Sequence, residues 1–271
     1  MIRLVSRRMA LALSLFAVVA CAAPALAVTP FELETGQRQL DEAVTKGDPK
    51  DILRVRAGFA ALLAAEPDSP VLNYWVALCG WRALPMVTET DKEAAKKLCK
   101  ESIAACDRVL AGKPKHADAI ALKAALQALS LAFNPSAAMS LGPEMIESYA
   151  KAETLEPDNA RVQLFKGINT LHMPAFIGGG PAKAKPIFER AIALADASSA
   201  RDTSAGNWGR ADAHLWAGIC LSRMDDWKGA QARYREALAI APGHVWLSKK
   251  LIPDAEKHLA DGGASGAGGA K

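Results

Sequence analysis

Residues 211–242 read ADAHLWAGICLSRMDDWKGAQARYREALAIAP. Apolar positions recur every three to four residues on both sides of Asp225-Asp226, a pair that suits a turn before a helix start. The stretch therefore predicts two helices joined by a short turn. Gly218, Ala230 and Ala237 are small where such helices must touch. Tyr234 is large enough to fill the space between them, and Pro242 cannot continue the second helix.

The same ending occurs elsewhere. LLAAEP closes at Pro67, VLAGKP at Pro114, AETLEP at Pro157 and ALAIAP at Pro242, at intervals of 47, 43 and 85 residues. The last interval is about twice the one before it, and IFERAIALADA fills its middle without a proline. Ten residues beyond the first three prolines stand Ala77, Ala124 and Gly167, so a small residue recurs at one place in each unit. LFKGI around Gly167 matches LWAGI around Gly218. Such self-similarity marks a repeat architecture, in which each unit buries its apolar face against the next.

From Gly218 the spacing to Ala230, Tyr234, Ala237 and Pro242 is 12, 16, 19 and 24 residues. This resembles the tetratricopeptide repeat (TPR), a helix–turn–helix unit with small residues, an aromatic and a proline at those places. Gly167, Ala184, Phe188 and Ala191 match the same pattern with a longer first gap. The resemblance covers about residues 34–260. It implies an all-α solenoid of about five irregular repeats with enlarged loops. The domain reading is a leader at 1–27, the repeats at 28–260 and a Gly/Ala-rich disordered tail at 261–271.

Insertions disturb the pattern. RALPMVTETD, NPSAAMSLG and HMPAFIGGG fall between the two helices of successive repeats, so all three are expected as loops along one rim. A further insertion lies around SSARDTSAGNWGR. Thr90 and Glu93 have the spacing of a capping box. Residues 245–260 read as a capping helix bent at Pro253. GGGPAKAK, at 178–185, invites comparison with a phosphate loop, but it lacks the Gly-Lys-Ser/Thr signature and no strand precedes it. Turn-building explains these glycines best; an anion beside Lys183 or Lys185 is the other reading. Pro186 is expected to delay or kink the helix that follows.

The first 27 residues carry Arg3, Arg7 and Arg8, an apolar run, and Ala25-Leu26-Ala27, the pattern of an export signal cut after Ala27. Val18-Val19-Ala20-Cys21 is also compatible with lipidation at Cys21, which is the one route to a membrane. The chain is +4 overall, but the leader holds three arginines and no acid, so the remainder is near neutral and gives no case for nucleic acid. Four cysteines follow the leader. Cys99 and Cys106 are seven apart on one expected helix, too far to bridge. A Cys79–Cys99 disulfide and simple buried thiols both remain open.

No metalloprotease, nucleophile-elbow, Walker or dinucleotide motif occurs, and the five histidines lack ligand spacing. We expect no enzyme, cofactor or metal. The TPR resemblance places a partner groove along the first helix of each repeat, at Tyr74, Leu78, Trp81, Arg82, Leu164, Ile168, Leu171, His172, Leu215, Ile219 and Arg223, with Phe176 on the rim. The lysines and asparagines with which such repeats clamp acidic peptide tails are absent. The expectation is an apolar groove for an envelope protein or peptide in the periplasm. FIGGGPAKAKPIFERAI is similar to periplasmic TPR proteins associated with TRAP transporters, which implies a second option, a carrier of a small apolar ligand.

Overall fold

The structure, a computed structural model, describes residues 29–198 and 208–267, with side chains at 29–197 and 208–261. The leader and most of the SSARDTSAGNWGR insertion lie outside the described residues.

The described chain is a succession of antiparallel α-helices with no β-strand: α1 (Pro30–Lys46), α2 (Pro49–Leu62), α3 (Pro70–Thr90), α4 (Lys92–Gly112), α5 (Ala117–Ser130), α6 (Ala138–Leu155), α7 (Ala160–His172), α8 (Pro181–Ser198), α9 (Arg210–Ser222), α10 (Trp227–Ile240) and α11 (Ile252–Ala267). Each odd helix from α1 to α9 pairs with the even one after it, giving five hairpins capped by α11. Successive hairpins stack, and α3, α5, α7 and α9 also meet in sequence, so the odd helices form the inner layer. Among the described residues no helix is long and apolar enough to cross a membrane.

Local chemistry sets the boundaries. Proline opens α1, α2, α3 and α8, where its missing N–H costs nothing. Side chains of Thr29, Asp48, Asp91, Asn159 and Asp226 cap the free N–H groups of α1, α2, α4, α7 and α10. Pro67 lies in the turn between α2 and α3, and the terminal prolines of the later repeats lie in corresponding turns.

Several local expectations are corrected. RALPMVTETD is not a loop: α3 continues through it to Thr90. Pro85 removes one backbone hydrogen bond, but it is exposed, while Ala83, Leu84 and Val87 around it are buried. Burial of that apolar face outweighs the lost bond. The cap of α4 is Asp91, which accepts from the Ala94 N–H at 2.9 Å, and not Thr90. Pro186 does not delay α8, which begins at Pro181 and carries Pro186 in its second turn. NPSAAMSLG forms a short 3-10 turn, Pro135–Ala137, and then the start of α6. The bend before α11 is a π-turn at Leu247–Leu251, which ends before Pro253. The backbone is helical to Ala267, beyond the boundary at residue 260 expected from composition.

The glycine loop is a turn. Gly178 and Gly180 have φ of 91° and 97°, values that favour glycine. A Cβ at Gly179 would fall 2.0 Å from the Met173 carbonyl oxygen. All three N–H groups donate within the turn, to Ala175, Pro174 and Thr170. They therefore offer nothing to an anion.

Candidate functional site

The inner layer is filled rather than open. Tyr74, Leu78, Leu164, Leu171 and Leu215 are buried, and Trp81 is only 8% exposed. Ile168 and Ile219 are half-buried. These expected groove residues are core. The reason is that α3, α5, α7 and α9 meet in sequence, so the faces that would line a groove pack on one another. Trp81 meets Phe165 edge-on at 5.0 Å, and Phe165 meets Trp208 at 5.6 Å.

Charges run through this layer in pairs rather than along its rim. The Arg82 guanidinium grips Asp212 with two hydrogen bonds, the Nη2–Oδ2 one at 2.6 Å, joining α3 to α9. It also lies over the rings of Trp81 and Trp208, at 5.1 and 5.2 Å from their centroids. Burial by itself would raise the Asp212 pKa, but Arg82's charge and hydrogen bonds outweigh it and hold the carboxyl below the usual range. Between the third and fourth hairpins, Asp118 accepts from Arg161 Nε at 2.8 Å and Asn159 Nδ2 at 2.7 Å, tying α5 to α7. Trp208 is the residue that sequence reading missed. It sits in a polar insertion, and only its size among small neighbours hinted at burial.

The ends of the solenoid approach each other. A cleft of about 450 Å³ lies between α1 and the end of α10, with Arg38, Asp41 and Lys46 on one wall and Trp208, Asp212 and His244 among the residues opposite. Asp41 is water-accessible but walled in by protein, and this burial pushes its carboxyl up to about 6, against the opposing pull of Arg82. His244 is 9% exposed, and its Nδ1 has no hydrogen-bond partner. Asp41 and His244 carry no local motif and are brought together only by closure of the superhelix.

The other notable surface is the edge formed by the hairpin turns. Met139 and Phe176 are almost fully exposed, at 88% and 89%, and Ile177 and Met224 are also exposed. They lie at the turns of the third, fourth and fifth hairpins. The last two turns are joined directly: exposed Arg223 hydrogen-bonds the Leu171 carbonyl at 3.5 Å and His172 Nε2 at 3.0 Å. His172 in turn meets Trp216 edge-on. Arg223 and His172 thus belong to this edge and not to a groove. Phe176 is where the sequence placed it, on the rim.

The repeat-signature residues decide the fold. Ala184, Phe188, Ala191, Ala230, Tyr234 and Ala237 are all buried, and Pro242 follows α10. A Cβ at Gly167 would meet the Phe188 ring at 2.7 Å, and one at Gly218 the Tyr234 ring at 2.4 Å. The glycines thus serve the aromatic residue more directly than the alanines Ala184 and Ala230 expected opposite them. The chain is a TPR-like helical solenoid. A TPR protein of Thermus thermophilus, TTC0263, matches this fold with a TM-score of 0.58 at 16% identity, covering 86% of this chain and 100% of its own. The HusA haemophore from Porphyromonas gingivalis matches with a TM-score of 0.60 at 21% identity, covering 73% of this chain and 95% of its own. No protein-family model matches the TPR-like chain, and no curated protein matches it either.

Proposed function

We propose that this TPR-like protein is a non-enzymatic periplasmic adaptor that binds an envelope protein or peptide through the hairpin-turn edge. The observation that carries the reading is the exposure of Met139, Phe176, Ile177 and Met224 at successive turns, beside an inner layer already packed shut. Methionine adapts to irregular apolar partners, and exposed apolar side chains gathered on one edge favour a docking surface. Export rests on the leader, with cleavage after Ala27; anchoring through Cys21 is the alternative. Mass spectrometry of the mature chain separates the two, because the first leaves Val28 and the second a lipidated Cys21 at the N-terminus.

A photo-crosslinking amino acid at position 176, in cells producing the full chain, tests the docking surface. Discrete protein adducts are expected there and not at exposed Lys257. Equal labelling at both positions, or none at 176, would overturn the reading. A small apolar cargo has less support, since the cleft carries acids and bases on its walls. The likeness to the haemophore extends to the fold and gives no reason to assign haem.

A further inference from the structure

We infer that the cleft between α1 and the end of α10 binds a small zwitterion, an amino acid or short peptide with a free ammonium and a free carboxylate. The inference is independent of the hairpin-turn edge. The volume, about 450 Å³, falls within the ~300–1,000 Å³ common for small-molecule sites. Arg38, Asp41, Glu42 and Lys46 line it from α1, and the bonded pair Arg82 and Asp212 lines it from the opposite wall. The charges cancel, so a ligand of one sign gains little from the summed field, whereas one bearing both signs gains at each end.

The pairing inside the cleft gives the ligand a direction. Arg82 is occupied by Asp212 through two hydrogen bonds. Asp41 feels both of them through space but bonds to neither, so its carboxylate, like that of neighbouring Glu42, is unmatched in the cleft. His244 Nδ1 on the opposite side also lacks a hydrogen-bond partner, but it is sealed from solvent and out of a ligand's reach. A ligand ammonium has donors for the Asp41 carboxylate. Arg38 and Lys46 have no ion-pair partner among the described residues and remain for the ligand carboxylate. Leu215, Ile240 and Pro242 supply apolar wall for a side chain.

Calorimetric titration of the mature full chain tests this with four probes: L-alanine, L-Ala-L-Ala, N-acetyl-Ala-Ala and Ala-Ala-amide. One of the two zwitterions should bind with a Kd below about 1 mM, and loss of either charge from the dipeptide should weaken its binding about tenfold or more. The better of alanine and dialanine identifies a free amino acid or a peptide as the source. Asp41→Asn should weaken the zwitterion and abolish the further effect of acetylation, as a coupled pair requires. Because Asp41 is accessible, circular dichroism of that variant should match the parent. No heat from any probe at millimolar concentration, equal binding of charged and blocked dipeptides, or an unchanged affinity in Asp41→Asn would overturn the inference. Phe176→Ser should leave zwitterion binding intact, so failure here is separable from failure of the docking edge.

Discussion

Gly218 on α9 and Tyr234 on α10 are in contact so close that a Cβ on the glycine would lie 2.4 Å from the tyrosine ring. The pair sets the spacing of the fifth hairpin, and Gly167 with Phe188 sets that of the fourth. Tyr234 is buried, so its ring has nowhere to swing. Gly218→Ala should therefore overpack the hairpin by about 1–3 kcal/mol, less up to ~1 kcal/mol regained from helix propensity. Urea unfolding should show a net loss of about 1–2 kcal/mol, and Tyr234→Leu in the same chain should recover part of it. A neutral or stabilising Gly218→Ala would show that the helices stand further apart.

Trp81 and Phe176 should behave oppositely. Trp81 is core, so Trp81→Ala should cost about 3–5 kcal/mol and lower the melting temperature sharply. Phe176 touches mainly solvent, so Phe176→Ala should stay within about 0.5 kcal/mol of the parent. Thermal melts of the two single variants decide whether the inner layer is packed as described.

Asp212→Ala leaves Arg82 charged and unpaired between α3 and α9. A loss of about 3 kcal/mol is expected, from denaturant unfolding at neutral pH. Replacing both partners with Arg82→Met and Asp212→Leu should cost less, because no stranded charge remains.

The two acids near Arg82 should give opposite pH signatures. Asp212 is depressed in the fold, so its stabilisation is present above the ordinary value of 3.8 and is lost as pH falls through its lower folded value. Asp41 is raised from 3.8 to about 6, so the fold binds its proton more readily than the unfolded chain does. Its ionisation therefore costs stability as pH rises from about 4 to about 6. Asp41→Asn should leave the melting temperature unchanged near pH 4 and raise it above pH 6. The rise should be modest, because water reaches the carboxylate and screens it. A stabilisation that is the same at both pH values would show that Asp41 does not titrate in this window.

Cys79, Cys99, Cys106 and Cys220 are buried free thiols. Burial pushes Cys79 up to about 12 and Cys99 and Cys220 up to about 11, and raises Cys106 further still. Low thiolate content and no access make them inert. The native mature chain should react with no thiol reagent on the timescale in which the denatured chain titrates four groups. Peptide mapping without reductant should find no Cys99–Cys106 link.

Local spacing was enough to place the hairpins. Glycine, alanine, aromatic and proline positions act within some 25 residues, and each encodes a local contact, so Gly218, Tyr234 and Pro242 could be placed from spacing alone. It also placed Phe176 on the rim, because a turn position is defined by its neighbours in the chain. The extension of α3 through Pro85 was hidden, since proline signals a break locally while the burial of Ala83, Leu84 and Val87 against other helices is not local. The groove failed for the same reason. Whether the inner face of a solenoid is open or filled depends on the angle between successive hairpins, and small angles add over five units. Only the tertiary structure set that sum, so only it could bring Arg82 to Asp212 across 130 residues, bury Trp208 from a polar insertion, and close a cleft between Asp41 near the start of the described chain and His244 near its end.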